Sequence, residues 1–241
     1  MVTRQGCPGN AERHSLPVQP SDVPEGYAVI EQRIEIAGRA WRIRTLKDRQ
    51  QYHDPAGEFE AKGISSATWP LFGVVWQAGI MLAEYMAEYP VGALRILEVG
   101  CGLGLPSMVI HARGGNVTAS DVHPLAGEFL VDNVRRNNLP SMPFQILDWR
   151  ENHGGETYDL VIGSDLLYER DQPQLLATFI DRHCAGNGKV ILTDPGRGQA
   201  GRFNQLMAHN GFSARGRSQG KARLLCYSRS TLSHHGESST T

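Results

Sequence analysis

Cysteines are few in this chain, and no two are spaced as a pair. Cys7, Cys101, Cys184 and Cys226 are scattered through 241 residues with no Cys-x-x-Cys spacing, which argues against a disulfide framework or a zinc ribbon and suits a reducing cytoplasm. No apolar run approaches the ~18 residues of a membrane span, and the N-terminus has no signal-peptide core, so no membrane association is expected. There is no charge excess either: 24 Lys and Arg stand against 25 Asp and Glu, a net charge of −1, so a nucleic-acid partner is not expected. Arg215, Arg217, Lys221 and Arg223 form a local basic group that reads as solvated strand ends. No metal is expected: His53, Asp54 and Glu58 lie in a polar loop and read as exposed. What is present is an ordinary globular composition, 40% apolar, long enough for one α/β domain with extensions.

Residues 1–26 and 230–241 are poor in large apolar groups and are expected to be disordered termini, leaving 27–229 as the folded domain. Within it, 27–90 should form a β-hairpin (Ile34 and Ile36, a turn at Ala37–Arg39, then Trp41 and Ile43), a polar loop over 47–67 and a helix from Val74 to Tyr89. From 91 to 229, short apolar runs alternate with helical ones, as in a parallel sheet covered on both faces. Strands are expected at 95–99, 117–120, 144–147, 159–163 and 189–193, with helices at 106–113, 124–138, 172–184 and 201–210. Runs 212–217 and 223–228 are too close for a helical crossover and should form a terminal antiparallel hairpin.

The most informative stretch is Arg95 to Leu105, a buried strand leading into Gly100, Cys101, Gly102 and Gly104 and then, at Pro106, into a helix. Glycines let the backbone take positive φ and approach a ligand, and the helix start presents free N–H groups. The spacing is G-x-G-x-G, whereas a dinucleotide fingerprint wants glycine where Leu105 stands, which argues against an NAD oxidoreductase. Asp121 ends the next strand about 20 residues on, placed to accept both hydroxyls of a ribose or to cap the following helix. Asp148 and Trp149 end the third, offering a carboxylate for an adenine amino group and a ring for its face. Together these point to S-adenosylmethionine, with S-adenosylhomocysteine as product. Glu98 is an acid inside an apolar strand that needs partners, from loop N–H groups, from the cofactor's ammonium or as a brace for the loop. At the end of the fourth strand Ser164 adjoins the cofactor region, and Asp165 and Tyr168 reach the crevice where an acceptor would lie, or else cap and pack a turn.

With these motifs the chain resembles the family 16 seven-strand protein methyltransferases, which include lysine methyltransferases. The likeness runs from about Phe72 to Tyr227 and rests on Val74-Val75-Trp76, on the Glu98 to Leu105 loop, on Asp121, on Leu147-Asp148-Trp149 and on Gly163-Ser164-Asp165-Leu166-Leu167-Tyr168. It implies a Rossmann-like seven-strand fold and a protein substrate. It also implies that Asp165 and Tyr168 lie beside the target amine and that Trp76, otherwise read as core, borders the cofactor. Ser164 replaces the family's usual alanine, a mild departure. Lysine is favoured over histidine as acceptor; a small-molecule N- or O-methyltransferase and a cofactor-binding module without turnover are the alternatives.

Overall fold

The computed structural model describes residues 26–152, 154–215, 217–219 and 222–229. Of the expected disordered segments, 1–25 and 230–241 lie outside the described residues. Val29–Ile36 (β1) and Arg39–Leu46 (β2) pair antiparallel as a hairpin around Ala37 and Gly38, both at positive φ. The polar loop that follows holds one short helix, Glu58–Ala61 (α1), and a 3-10 turn at Trp69–Gly73. The next helix, Gln77–Glu88 (α2), starts later than expected, because Val74 and Trp76 are extended.

The main sheet is built from Arg95–Glu98 (β3), Asn116–Asp121 (β4), Phe144–Ile146 (β5), Tyr158–Ser164 (β6), Cys184–Asp194 (β7), Phe212–Ala214 (β8), Arg217–Gln219 (β9) and Ala222–Arg229 (β10). Its order is β5-β4-β3-β6-β7-β10-β8, parallel through β7 and antiparallel from there. β9 also pairs with β10, and in the same register as β8 (Tyr227↔Ala214, Leu224↔Arg217). The two are therefore one strand interrupted after Ala214, which makes seven strand positions and gives the expected terminal hairpin.

Helices Leu105–Ala112 (α3), Pro124–Arg136 (α4), Gln172–His183 (α5) and Ala200–His209 (α6) cover the sheet. The strands alternate as a two-sided sheet requires. Ile96, Leu160, Ile162 and Ile191 cluster with Leu82 and Met86 of α2 and Ile110 of α3. Their neighbours Leu97, Val161, Val190 and Leu192 cluster with Phe179 of α5 and Phe203 of α6.

The N-terminal hairpin is fastened to α4 by two asparagines one turn apart. Asn133 Oδ1 accepts from Arg44 N, and Asn137 exchanges both bonds with Arg42, Oδ1 accepting from its N–H at 2.9 Å and Nδ2 donating to its carbonyl at 2.8 Å. A helix thus supplies the partners that a third strand would otherwise give to the free edge of β2.

Candidate functional site

At the C-terminal edge of β3, β4 and β6, where the strand order reverses, lies a cavity of about 420 Å³, within the range of small-molecule sites. The glycine loop forms its floor. Gly102 stands at φ 52°, and a Cβ on it would lie 2.8 Å from the Phe72 carbonyl oxygen, so only glycine fits. Cys101 N–H donates to the Ser120 carbonyl at 2.9 Å, tying the loop to β4.

Asp121 lines the cavity beside this loop, its Oδ2 accepting from Gly102 N–H at 2.8 Å and its Oδ1 from His123 N–H at 2.9 Å. Burial raises its pKa, and these backbone bonds oppose the rise. Asp121 does not itself cap α4; His123 does, through Nδ1 and the Leu125 N–H. That bond leaves the proton of the neutral ring on Nε2, which is buried and has no partner among the described residues. Phe72 and Phe59 stack on this ring at 3.9 and 5.1 Å, and burial pushes its pKa down to about 3.

Asp148 and Trp149 also line the cavity. Arg150, which the sequence reading did not single out, grips Asp148 from Nε at 2.9 Å and also donates to the Lys62 carbonyl at 2.9 Å, so it binds the polar loop to this acid. Trp76 lines the cavity and donates Nε1–H to the Leu71 carbonyl at 2.9 Å, placing it at the site rather than in the core.

Glu98 is the sequence-predicted residue that the structure sets apart. It does not line the cavity but lies behind the loop, 1% exposed, accepting from Ser107 N–H at 2.9 Å and from the Ser107 hydroxyl in the first turn of α3. It is a brace, because the strand points it at the helix start and not at the ligand. Burial outweighs these bonds and pushes its pKa from 4.5 up to about 8. Between those values the folded protein holds a proton that the unfolded chain has released. The stability this gives is full below 4.5 and is lost as pH rises toward 8, at about 1.4 kcal/mol per pH unit. Urea unfolding of the cofactor-free protein should therefore show wild type losing a few kcal/mol more than Glu98→Gln from about pH 5 to about pH 8; parallel pH dependences would refute this.

Ser164, Asp165, Tyr168 and Arg197 also line the cavity. Asp165 sits at φ 55°, a conformation Asp tolerates better than most residues, and its N–H donates to the Thr193 carbonyl at 2.8 Å. Its carboxylate is held by Arg197, from Nε at 2.6 Å and Nη2 at 2.8 Å. Gln172 Oε1 accepts from both Tyr168 N–H and Glu169 N–H at 2.8 Å, fixing the turn that presents Tyr168. The Tyr168 phenol is held above its ordinary pKa, chiefly by desolvation, so it acts as a neutral hydroxyl. Asp54 accepts from Phe59 and Glu60 N–H groups and so secures α1; no group of three or more potential metal ligands occurs among the described residues.

A family model described as lysine methyltransferase matches residues 67–207. Among curated proteins, the chain is 30% identical over 134 residues to the electron transfer flavoprotein beta subunit lysine methyltransferase of Xenopus laevis (54% of each chain). It is 34% identical over 142 residues to protein N-lysine methyltransferase METTL21A of Danio rerio (53% of this chain, 63% of that one). The chain spans about half the length of the curated relatives it matches. Two solved structures share its fold. One is the ribosomal protein L11 methylase of Lactobacillus delbrueckii subsp. bulgaricus, with TM-score 0.54, 22% identity and coverage of 65% of this chain and 81% of that one. The other is the T. thermophilus 16S rRNA N2 G1207 methyltransferase, with TM-score 0.59, 15% identity and coverage of 87% of this chain and 52% of that one.

Proposed function

The chain belongs to the lysine methyltransferase family, and on that premise we propose that it transfers a methyl group from S-adenosylmethionine to a protein lysine. The observation that carries this reading is the union of two sets of groups in one cavity: Asp121, Asp148 and Trp149 at adjacent strand ends, and Asp165 with Tyr168 just after β6. Asp121 would hold the ribose hydroxyls, Asp148 the adenine amino group and Trp149 the face of the base. Gly100, Cys101, Gly102 and Gly104 let the backbone approach the ligand, with Trp76 and Ser164 flanking it. The cofactor supplies a methyl group on a sulfonium, open to in-line attack.

The protein's own part is to place a neutral nitrogen behind that carbon, which contributes on the order of 7–11 kcal/mol. A lysine must first lose its proton, which costs about 4 kcal/mol near pH 7.4 for a pKa of about 10.4. Asp165 orients the amine and Tyr168 hydrogen-bonds it; neither is a strong base. The cytoplasm is the proposed compartment, supported by Cys101 and Cys184, which form no disulfide among the described residues. Among the described residues no helix is long and apolar enough to cross a membrane.

The test is transfer of radiolabelled methyl into a hypomethylated lysate, with the product identified by mass spectrometry. Label on a protein lysine is expected. Label confined to the low-mass fraction would show a small-molecule methyltransferase, and cofactor binding without any turnover would show a binding module.

A further inference from the structure

The fork between Arg197 and Asp165 lies where an incoming ammonium would otherwise meet the carboxylate. The Asp165 side chain is 9% exposed and that of Arg197 42%, so the arginine is the more accessible member of the pair. Its pKa is raised first by this hydrogen-bonded pairing. The register Ser164↔Thr193 brings the two loops together, with the Asp165 N–H bond to Thr193 locking them. Asp194, close enough to raise the Arg197 pKa further, is buried, accepts from Gly196 N–H at 3.0 Å and does not line the cavity. The Arg197 guanidinium also lies 6.0 Å from the Trp76 ring centroid, and that of Arg49 lies 5.3 Å from it.

From this geometry we infer that Arg197 is a positioning residue that neutralises Asp165, so that the acceptor site takes its amine uncharged; the inference rests on the lysine-transfer reading above. A bare carboxylate would favour the ammonium and raise the amine's pKa, opposing the step that transfer requires. Bound by Arg197, Asp165 presents a pair with no net charge. The positive cofactor then favours release of the lysine proton to solvent. The neutral nitrogen forms the new N–C bond as the C–S bond breaks, and the product amine carries the positive charge away. The other charged or titratable groups of the cavity are Lys62, Cys101, Asp121, His123, Asp148, Arg150, Tyr168, Glu169 and Asp171. Of these, Asp148 is paired with Arg150, and Asp121 and Glu169 face Tyr168.

Two measurements test this, the first without turnover. In the complex with S-adenosylhomocysteine, n-butylamine titrated by calorimetry should bind wild type more tightly as pH rises, by roughly tenfold per unit below the amine's pKa. In Arg197→Gln, where the carboxylate stands bare, that dependence should flatten or reverse. Equal or weaker binding to wild type at high pH would overturn the inference. The second is the initial rate of labelled methyl transfer to limiting hypomethylated lysate, as a function of pH. Arg197→Gln and Arg197→Ala should shift the rising limb upward by about one unit, a roughly tenfold loss at neutral pH recovered in alkali, with Arg197→Lys intermediate. A loss equal at every pH would show a structural role. A gain in rate with an unshifted profile would show a latch that competes with the substrate. Either result overturns the inference while leaving the lysine-transfer reading intact. Wild type that labels no protein at any pH would remove that reading, and the inference with it.

Discussion

Asparagine at position 165 is expected to reduce methyl transfer to protein by roughly 100-fold or more, while affinity for S-adenosylhomocysteine changes less than tenfold. The substitution is a fair probe because Asn tolerates φ 55° as well as Asp does, so the turn and the bond to Thr193 should survive. What it removes is the charge that Arg197 grips at two points. An unneutralised guanidinium would then stand beside the amine and the cofactor's positive charge, and the group that orients the nitrogen would be lost. Because the two residues act as one unit, Asp165→Asn combined with Arg197→Gln should fall well short of the sum of the single effects, with a coupling of about 1–3 kcal/mol. Isothermal titration with S-adenosylhomocysteine beside label transfer separates the roles. Parallel collapse of both would move Asp165 into the cofactor site.

The sheet and most of the site were legible because they follow from local patterns. Runs such as Ile96-Leu97 and Leu160 to Ile162 are apolar on both faces, as buried parallel strands are, and acids at consecutive strand ends converge wherever the strands are parallel. Boundaries failed where tertiary pairing overrode a local signal. β7 begins at Cys184 and not at 189, because the Gly-Asn-Gly run that reads as a turn is carried in the strand. Asn133 and Asn137 read as the polar face of α4, and nothing in their spacing says that a hairpin from about ninety residues earlier will use them as an edge.

From the sequence Glu98 reads as an acid needing partners from either of two sources, and the helix start supplies both bonds. Arg197 is the largest omission. It lies 32 residues from Asp165 and meets it only because β6 and β7 are neighbours in register. The Asp-x-x-Tyr spacing marks one half of that pair and gives no sign of the other. Arg150 stands two residues beyond Asp148, and that proximity was a usable signal.

The second large effect is expected at Gly102. Alanine there should weaken S-adenosylhomocysteine binding by about 30-fold or more, and three costs combine to produce it. The residue stands at φ 52°, which costs an L side chain roughly 1–2 kcal/mol. Its new Cβ would meet the Phe72 carbonyl oxygen at 2.8 Å, and a backbone atom in a 3-10 turn cannot swing aside as the end of a side chain can. Its N–H fixes Asp121 at 2.8 Å, so any retreat of the loop releases the carboxylate that we propose holds the ribose. A push on Phe72 also reaches the ring it stacks on, His123, at 3.9 Å. Gly114→Ala isolates the first cost, since Gly114 stands at φ 77° with nothing within 4 Å of its Cβ position. That variant should lose about 1 kcal/mol of stability and bind the ligand as wild type does. If Gly102→Ala behaves like Gly114→Ala in both stability and affinity, the strain is backbone strain alone and Asp121 does not depend on the loop. If it binds weakly while Gly114→Ala does not, the contact with Phe72 is what keeps the glycine loop in the shape that positions Asp121.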